Sequence, residues 1–285
     1  MDVWIILTAC LVGFSCTILG SFLMLRGMSM LSDTLSHAVL PGIVLGYALS
    51  GSRHSLWMVF LSFLFAFLAV FIVQRLSQIP YVKVDASIGL TYTWLFSLGL
   101  LLLSFFASYT DLDPDCVLFG EIQFAFLPPY WEIGNWRIPL SVLPILATSV
   151  LVIGWTIVYF QALNLLIFDA QLAQLKGLSL SYFHYSLMGL SALTAVTAFE
   201  HVGSVMVLGF FVLLPAAVFL VAKHLLQLLI LSGLLVVAVS VLGYYWAIWL
   251  DVSITGSLML MMSIAFGLAV ILRFVILSKS PATYE

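Results

Sequence analysis

The chain has 285 residues, 64% of them hydrophobic and 7% charged, with a mean hydropathy of +1.23 and a formal net charge of −3. Soluble domains carry about 25% charged residues, so the composition excludes a soluble globular protein and implies one all-α, polytopic membrane domain over residues 1–285. No G-x-x-x-x-G-K-[ST] string occurs, and the polar chain is too short to hold an ATPase domain, so no enzyme activity is expected of this chain itself.

Apolar runs of membrane length place spans near 4–25, 27–50, 56–74, 87–107, 139–163, 183–199, 203–222, 226–248 and 253–276. That is eight or nine helices, because 183–199 is short. The first Lys or Arg is Arg26, so no basic segment precedes the first run, which reads as a retained span and not a cleaved signal peptide. Cys10 and Cys16 in that span and Cys116 in a loop show no zinc spacing and are expected to be packing residues.

The second run, RGMSMLSDTLSHAVLPGIVLGYALSG from Arg26 to Gly51, is the most informative. Asp33 and His37 are four residues apart, so they share a helix face one turn from each other. An Asp at the centre of a span costs about 2.5–3.5 kcal/mol on insertion scales, and such residues mark ion paths by default. Pro41 has no N–H for the His37 carbonyl, so Pro41 and Gly42 are expected to break the helix there and free an oxygen beside the two side chains. Carboxylate, imidazole and carbonyl together form a cation-ligand set. A plain Asp–His pair holding a helix bundle together would read the same way. If the helix starts at Gly27, its rise of about 1.5 Å per residue puts His37 about 15 Å deep, near the middle of a bilayer core of about 30 Å. Thr34, Ala38, Gly42 and Gly46 make a ridge of small residues that another helix could approach.

Farther along, Ala107 to Ile138 forms a long loop with Asp111, Asp113 and Asp115. Their spacing resembles a calcium loop, but Cys116 stands where that loop needs glycine and Ile122 where it needs Glu. The apolar, aromatic run CVLFGEIQFAFLPPYW that follows is expected at the membrane interface. The loop from Asn164 to Tyr182 contains a short helix: Asp169 caps it, Lys176 suits its last turn, and Gly177 fits just past its end. Leu172, Ala173 and Lys176 are expected on one face as a docking element. Leu-Pro-small strings around Pro41 and Pro215 hint at a pair of broken helices in two halves, so Pro215 is a second expected helix break. His54, His184, His201 and His224 fall at predicted span edges, and Glu200 beside His201 is a minor second candidate for ligands.

With nine spans and the N-terminus outside, seven Lys and Arg are cytoplasmic and two are external, as the positive-inside rule requires. Eight acidic residues then lie outside and give that face a charge of about −6, a field that concentrates cations.

These residues carry a resemblance. The Arg26–Gly51 string, VDASIGLTYTWLFSLGLLLL, LFGEI, FDAQLAQLKGLS and VGSVMVLGFFVLLPAA occur in order and resemble the permease subunits of the zinc/manganese/iron family of ABC importers. The resemblance implies a helical fold like that of vitamin-B12-type ABC importer permeases, in the bacterial cytoplasmic (inner) membrane. It implies a second permease chain, cytoplasmic ATPase subunits and an extracytoplasmic metal-binding lipoprotein as partners, together with membrane lipid and without nucleic acid. It matches the family's metal gate to Asp33 and His37 and its ATPase-coupling segment to Asp169, Leu172, Ala173, Lys176 and Gly177. No permanently bound cofactor is implied, only the transported metal. Oxygen and nitrogen ligands suit manganese, zinc and ferrous iron alike. Two other readings are a carrier coupled to ions or protons without ATP, and an intramembrane hydrolase. The second lacks a Ser or another carboxylate on the Asp33 face, and H-E-x-x-H is absent.

Overall fold

The computed structural model describes residues 2–51, 56–106, 130–133, 136–139 and 142–279. The helices in chain order are α1 (Asp2–Leu25), α2 (Leu31–Ser50), α3 (Leu56–Ser77), α4 (Val84–Phe106), α5 (Val142–Phe168), α6 (Ala170–Leu175), α7 (Leu180–Val202), α8 (Ser204–Leu208), α9 (Leu214–Phe219), α10 (Leu225–Leu250) and α11 (Ile254–Lys279). A π-helical turn, Gly209–Leu213, joins α8 to α9. The helical class expected from composition therefore holds. One addition is an antiparallel hairpin, β1 (Tyr130–Ile133) with β2 (Trp136–Pro139), in which Trp131 faces Ile138. Its aromatic and β-branched residues favour strands. The acidic motif at 111–115 and most of the apolar run after it lie outside the described residues.

Six of these helices are long and apolar enough to cross a membrane: α1, α3, α4, α5, α10 and α11. α2 and α7 are long enough as well, at 20 and 23 residues, but polar side chains dilute their hydropathy. α7 runs from Leu180 to Val202 and so extends beyond the expected 183–199 at both ends. The segment Ser204–Phe219 is a shorter apolar helix that passes through the π turn at Gly209–Leu213.

Two packing centres organise the bundle. α1 lies inside the larger one, against α5, α7, the π turn, α9, α10 and α11's neighbours, with Leu19, Phe22, Phe210 and Phe211 essentially inaccessible. α2 anchors the smaller one, against α3 and α4, where Ala38, Ala69 and Leu95 form a compact cluster. Little chain separates the two. α1 ends on Gly27 at φ +69°, whose N–H bonds the Met24 carbonyl at 2.9 Å while Met28 N–H bonds Leu23 at 2.9 Å. This Schellman ending needs a residue at positive φ, and glycine has no Cβ penalty there.

The helix breaks expected at the two prolines turn out differently. α2 runs unbroken through Pro41 and Gly42. Pro41 is buried against Gly99 of α4, whose missing side chain leaves room for the ring; neighbouring helices commonly let a proline sit inside a membrane helix. Gly42 is a contact residue: a Cβ on it would land on the Ser62 backbone of α3. At Pro215 the irregularity is real but lies upstream. Leu214 N–H bonds the Gly209 carbonyl in π register, and Pro215 has no N–H to serve the next carbonyl, Phe210. Thr17 Oγ1 of α1 donates to that oxygen at 3.0 Å. The two Leu-Pro-small strings therefore have different local geometry.

Candidate metal centre

Asp33 and His37 are brought together in the first turns of α2. His37 Nε2 lies 3.4 Å from Asp33 Oδ1, and the two side chains are 19% and 39% exposed. They stand out on a helix whose residues 31–44 are otherwise buried. Asp33 falls in the first turn, where the helix dipole favours a carboxylate. The helix starts at Leu31 and not at Gly27, because Arg26–Met30 forms the turn out of α1. His37 is thus six residues in, about 9 Å along the axis, and nearer the α2 N-terminus than the expected mid-span depth.

The walls of the site come from α4. The His37 ring stands at 74° to Tyr92 and 79° to Phe96, with centroids 4.8 and 5.1 Å away. Tyr92 and Phe96 stack on each other at 5.8 Å and 8°. They are four residues apart on α4, so they share one face of it. His37 Nδ1 is buried and has no hydrogen-bond partner among the described residues. Sequence reasoning passed over these aromatics. Their i, i+4 spacing was visible, but their register against α2 is a tertiary fact, fixed where Thr34 Oγ1 donates to the Ile88 carbonyl at 3.4 Å.

The small-residue ridge of α2 is used within this chain. Ala38 packs on Ala69 and Leu95, and Gly42 and Gly46 admit the backbones of Ser62 and Met58 on α3. The ridge is therefore filled within this chain, and over residues 31–44 of α2 Asp33 and His37 alone keep part of their surface open. Among the described residues, no three His, Cys, Asp or Glu side chains gather into a metal-sized group. His201 is buried in the last turn of α7, and its Nδ1 donates to the Thr197 carbonyl at 2.8 Å; the Glu200 side chain lies outside the described residues.

The predicted short helix is present as α6. Asp169 is its N-cap, with Leu172 N–H donating to Oδ1 at 2.9 Å. Gly177 ends it at φ +77°, with Gly177 N–H on Gln174 and Leu178 N–H on Ala173 in a Schellman pattern. The shared face expected for Leu172, Ala173 and Lys176 needs correction. Ala173 is fully buried in the main core, whereas Leu172 and Lys176 are exposed. A six-residue helix lying on a bundle turns one side inward, and Ala173 is that side. Leu175, at 87% exposure, and Phe168, at 66%, complete the outward surface.

A second polar group lies near the α6 end of the bundle. Arg26 donates to His184 Nδ1 at 3.2 Å, and His184 contacts Gln74 through Nε2. Arginine has only donors, so Nδ1 must accept, Nε2 carries the proton, and Gln74 Oε1 receives it. His184 is therefore neutral and ties the α1–α2 turn to α3 and α7. The three residues edge a cavity of about 390 Å3 that also meets Gln78, Ser181 and Tyr185.

The ABC 3 transport family matches residues 2–273 of this chain. The chain is 36% identical over 271 residues to the manganese transport system membrane protein MntD of Bacillus subtilis (strain 168), covering 94% of this chain and 90% of that one. It is 34% identical over 272 residues to the zinc transport system membrane protein TroD of Treponema pallidum (strain Nichols), covering 94% and 73%. Its fold is similar to a chain of PsaBC from Streptococcus pneumoniae, solved in complex with Fab, with a TM-score of 0.75 at 26% identity over 93% of this chain and 89% of that one.

Proposed function

The chain belongs to the ABC 3 transport family, and from that premise we propose that it is the membrane permease subunit of an ATP-binding-cassette importer for a divalent transition metal, gated by Asp33 and His37. The observation that carries the gate is the pair itself: a carboxylate and an imidazole 3.4 Å apart, half open on a helix that is otherwise closed. A carboxylate supplies charge and a neutral imidazole supplies nitrogen, which suits manganese, zinc or ferrous iron. The relatives named for manganese and zinc leave the choice of metal within that set.

The same reading assigns the remaining parts. A second permease chain, identical or paralogous, completes the path. Cytoplasmic ATPase subunits dock on the exposed side of α6, where Phe168, Leu172 and Leu175 offer apolar surface beside Lys176. An extracytoplasmic metal-binding lipoprotein delivers the ion to the acidic outer side. The protein sits in the bacterial inner membrane, and if nine segments cross it the N-terminus lies outside and the C-terminus inside. A carrier working without ATP would give α6 no partner, and its exposed leucines would have no function.

Substitution tests the gate directly. Asp33→Ala or His37→Ala, each expressed with the partner subunits, is expected to abolish uptake of radiolabelled manganese or zinc while the protein still inserts. Normal uptake by a well-expressed double variant would end the assignment.

A further inference from the structure

His37 Nδ1 is buried with no hydrogen-bond partner among the described residues, and the two rings of α4 meet the imidazole edge-on at 74° and 79°. In resident metal sites, a ligating histidine almost always donates its second ring N–H to a carboxylate, carbonyl or water, which fixes the ring and raises its basicity. Among the described residues none accepts from His37 Nδ1. What fixes it is shape: Tyr92 and Phe96, stacked on one another at 5.8 Å, hold the imidazole perpendicular to both rings and leave Nε2 facing Asp33.

We propose that Tyr92 and Phe96 are positioning residues whose rings, packed against the imidazole, orient His37 toward the metal. This inference rests on Asp33 and His37 being the metal gate. Its physical consequence suits a transporter. A ligand whose ring is held by packing meets the ion in a fixed orientation. An imidazole that has bound a cation is electron-poor, and aromatic rings favour such a neighbour through their quadrupoles. The rings therefore support the loaded state without supplying a competing ligand.

The experiment is manganese and zinc titration of the purified permease dimer, with uptake measured in the assembled importer, for Tyr92→Leu, Phe96→Leu, Tyr92→Phe and His37→Ala. Leucine fills much of the space but has no ring. Both leucine variants are expected to lose about 10–100-fold in metal affinity, the loss seen when the support of a metal-ligating histidine is removed. Their KM for uptake should rise with little change in maximal rate per assembled complex. Tyr92→Phe should bind and transport as the parent does, because the ring and not the hydroxyl carries the role. Leucine variants that bind as tightly as the parent overturn the proposal, and so does a Tyr92→Phe loss equal to that of Tyr92→Leu. The His37→Ala arm separates the two levels. If it binds and transports normally, the gate assignment fails; if it is dead while the leucine variants are normal, only the positioning role fails.

Discussion

At Gly42 and Gly46 a hydrogen atom decides how near two helices come. A Cβ at either position would meet the α3 backbone, at Ser62 or at Met58. In a bilayer lipid is as apolar as leucine, so close packing of small residues is one of the few forces that hold helices together. Gly42→Val is therefore expected to separate α2 from α3 and destabilise the chain by about 1–3 kcal/mol, the usual effect of overpacking. A thermal-unfolding series in detergent would show it, and an unchanged midpoint would mean that the two helices have room to yield. Because α2 carries Asp33 and His37, metal binding should weaken in the same variant. At this scale the sequence was informative for residues whose chemistry is unusual in a membrane. Asp33 and His37 were legible because charge at depth is rare. Tyr92 and Phe96 were not, since aromatic residues in an apolar span look like lipid-facing bulk until the neighbouring helix is known. The ridge around Gly42 was legible as a contact surface, but its partner was not.

For a whole element, α6 shows how local rules define a piece of structure and leave its outward face unsettled. Asp169, Lys176 and Gly177 were readable because capping is chemistry between residues a few positions apart. The buried side of α6 was not readable, because six residues are too few to display a periodic pattern. Ala173 proves to be the anchor, and the exposed leucines are the surface a partner would meet. Two substitutions should then behave differently. Ala173→Arg places a cation in the core and is expected to reduce folded yield. Leu175→Arg sits at a residue 87% exposed; it should leave the permease folded and lose co-purification with the ATPase together with ATP-driven uptake. Retention of both by Leu175→Arg would show that α6 is only a connector. The π turn illustrates the reverse case. Pro215 announced an irregularity in sequence, but only the structure shows that it is absorbed five residues upstream and satisfied by Thr17.

On the scale of the whole molecule, the question is how the two ligands of the proposed gate would hold a divalent ion. Zinc commonly takes four ligands, and manganese suits an octahedral oxygen-rich shell. One chain offers Asp33 and His37, and among the described residues no third acidic, histidine or cysteine side chain joins them. The pair lies on an open face of α2 while the small-residue side of that helix is already filled by α3 and α4. A second chain meeting this face would bring its own carboxylate and imidazole. Two carboxylates neutralise a 2+ ion, and two imidazoles raise the ligand count to four. One metal site per pair of chains is therefore expected. The test is titration of the purified permease dimer with manganese and with zinc, in the parent and in a dimer whose Asp33 and His37 are changed to Ala in one subunit only. The expected stoichiometry is one ion per dimer, lost when a single subunit is altered. Two ions per dimer, with one surviving in the half-altered complex, would show instead that each chain completes its own site, with water or a residue beyond the described ones supplying the missing ligands.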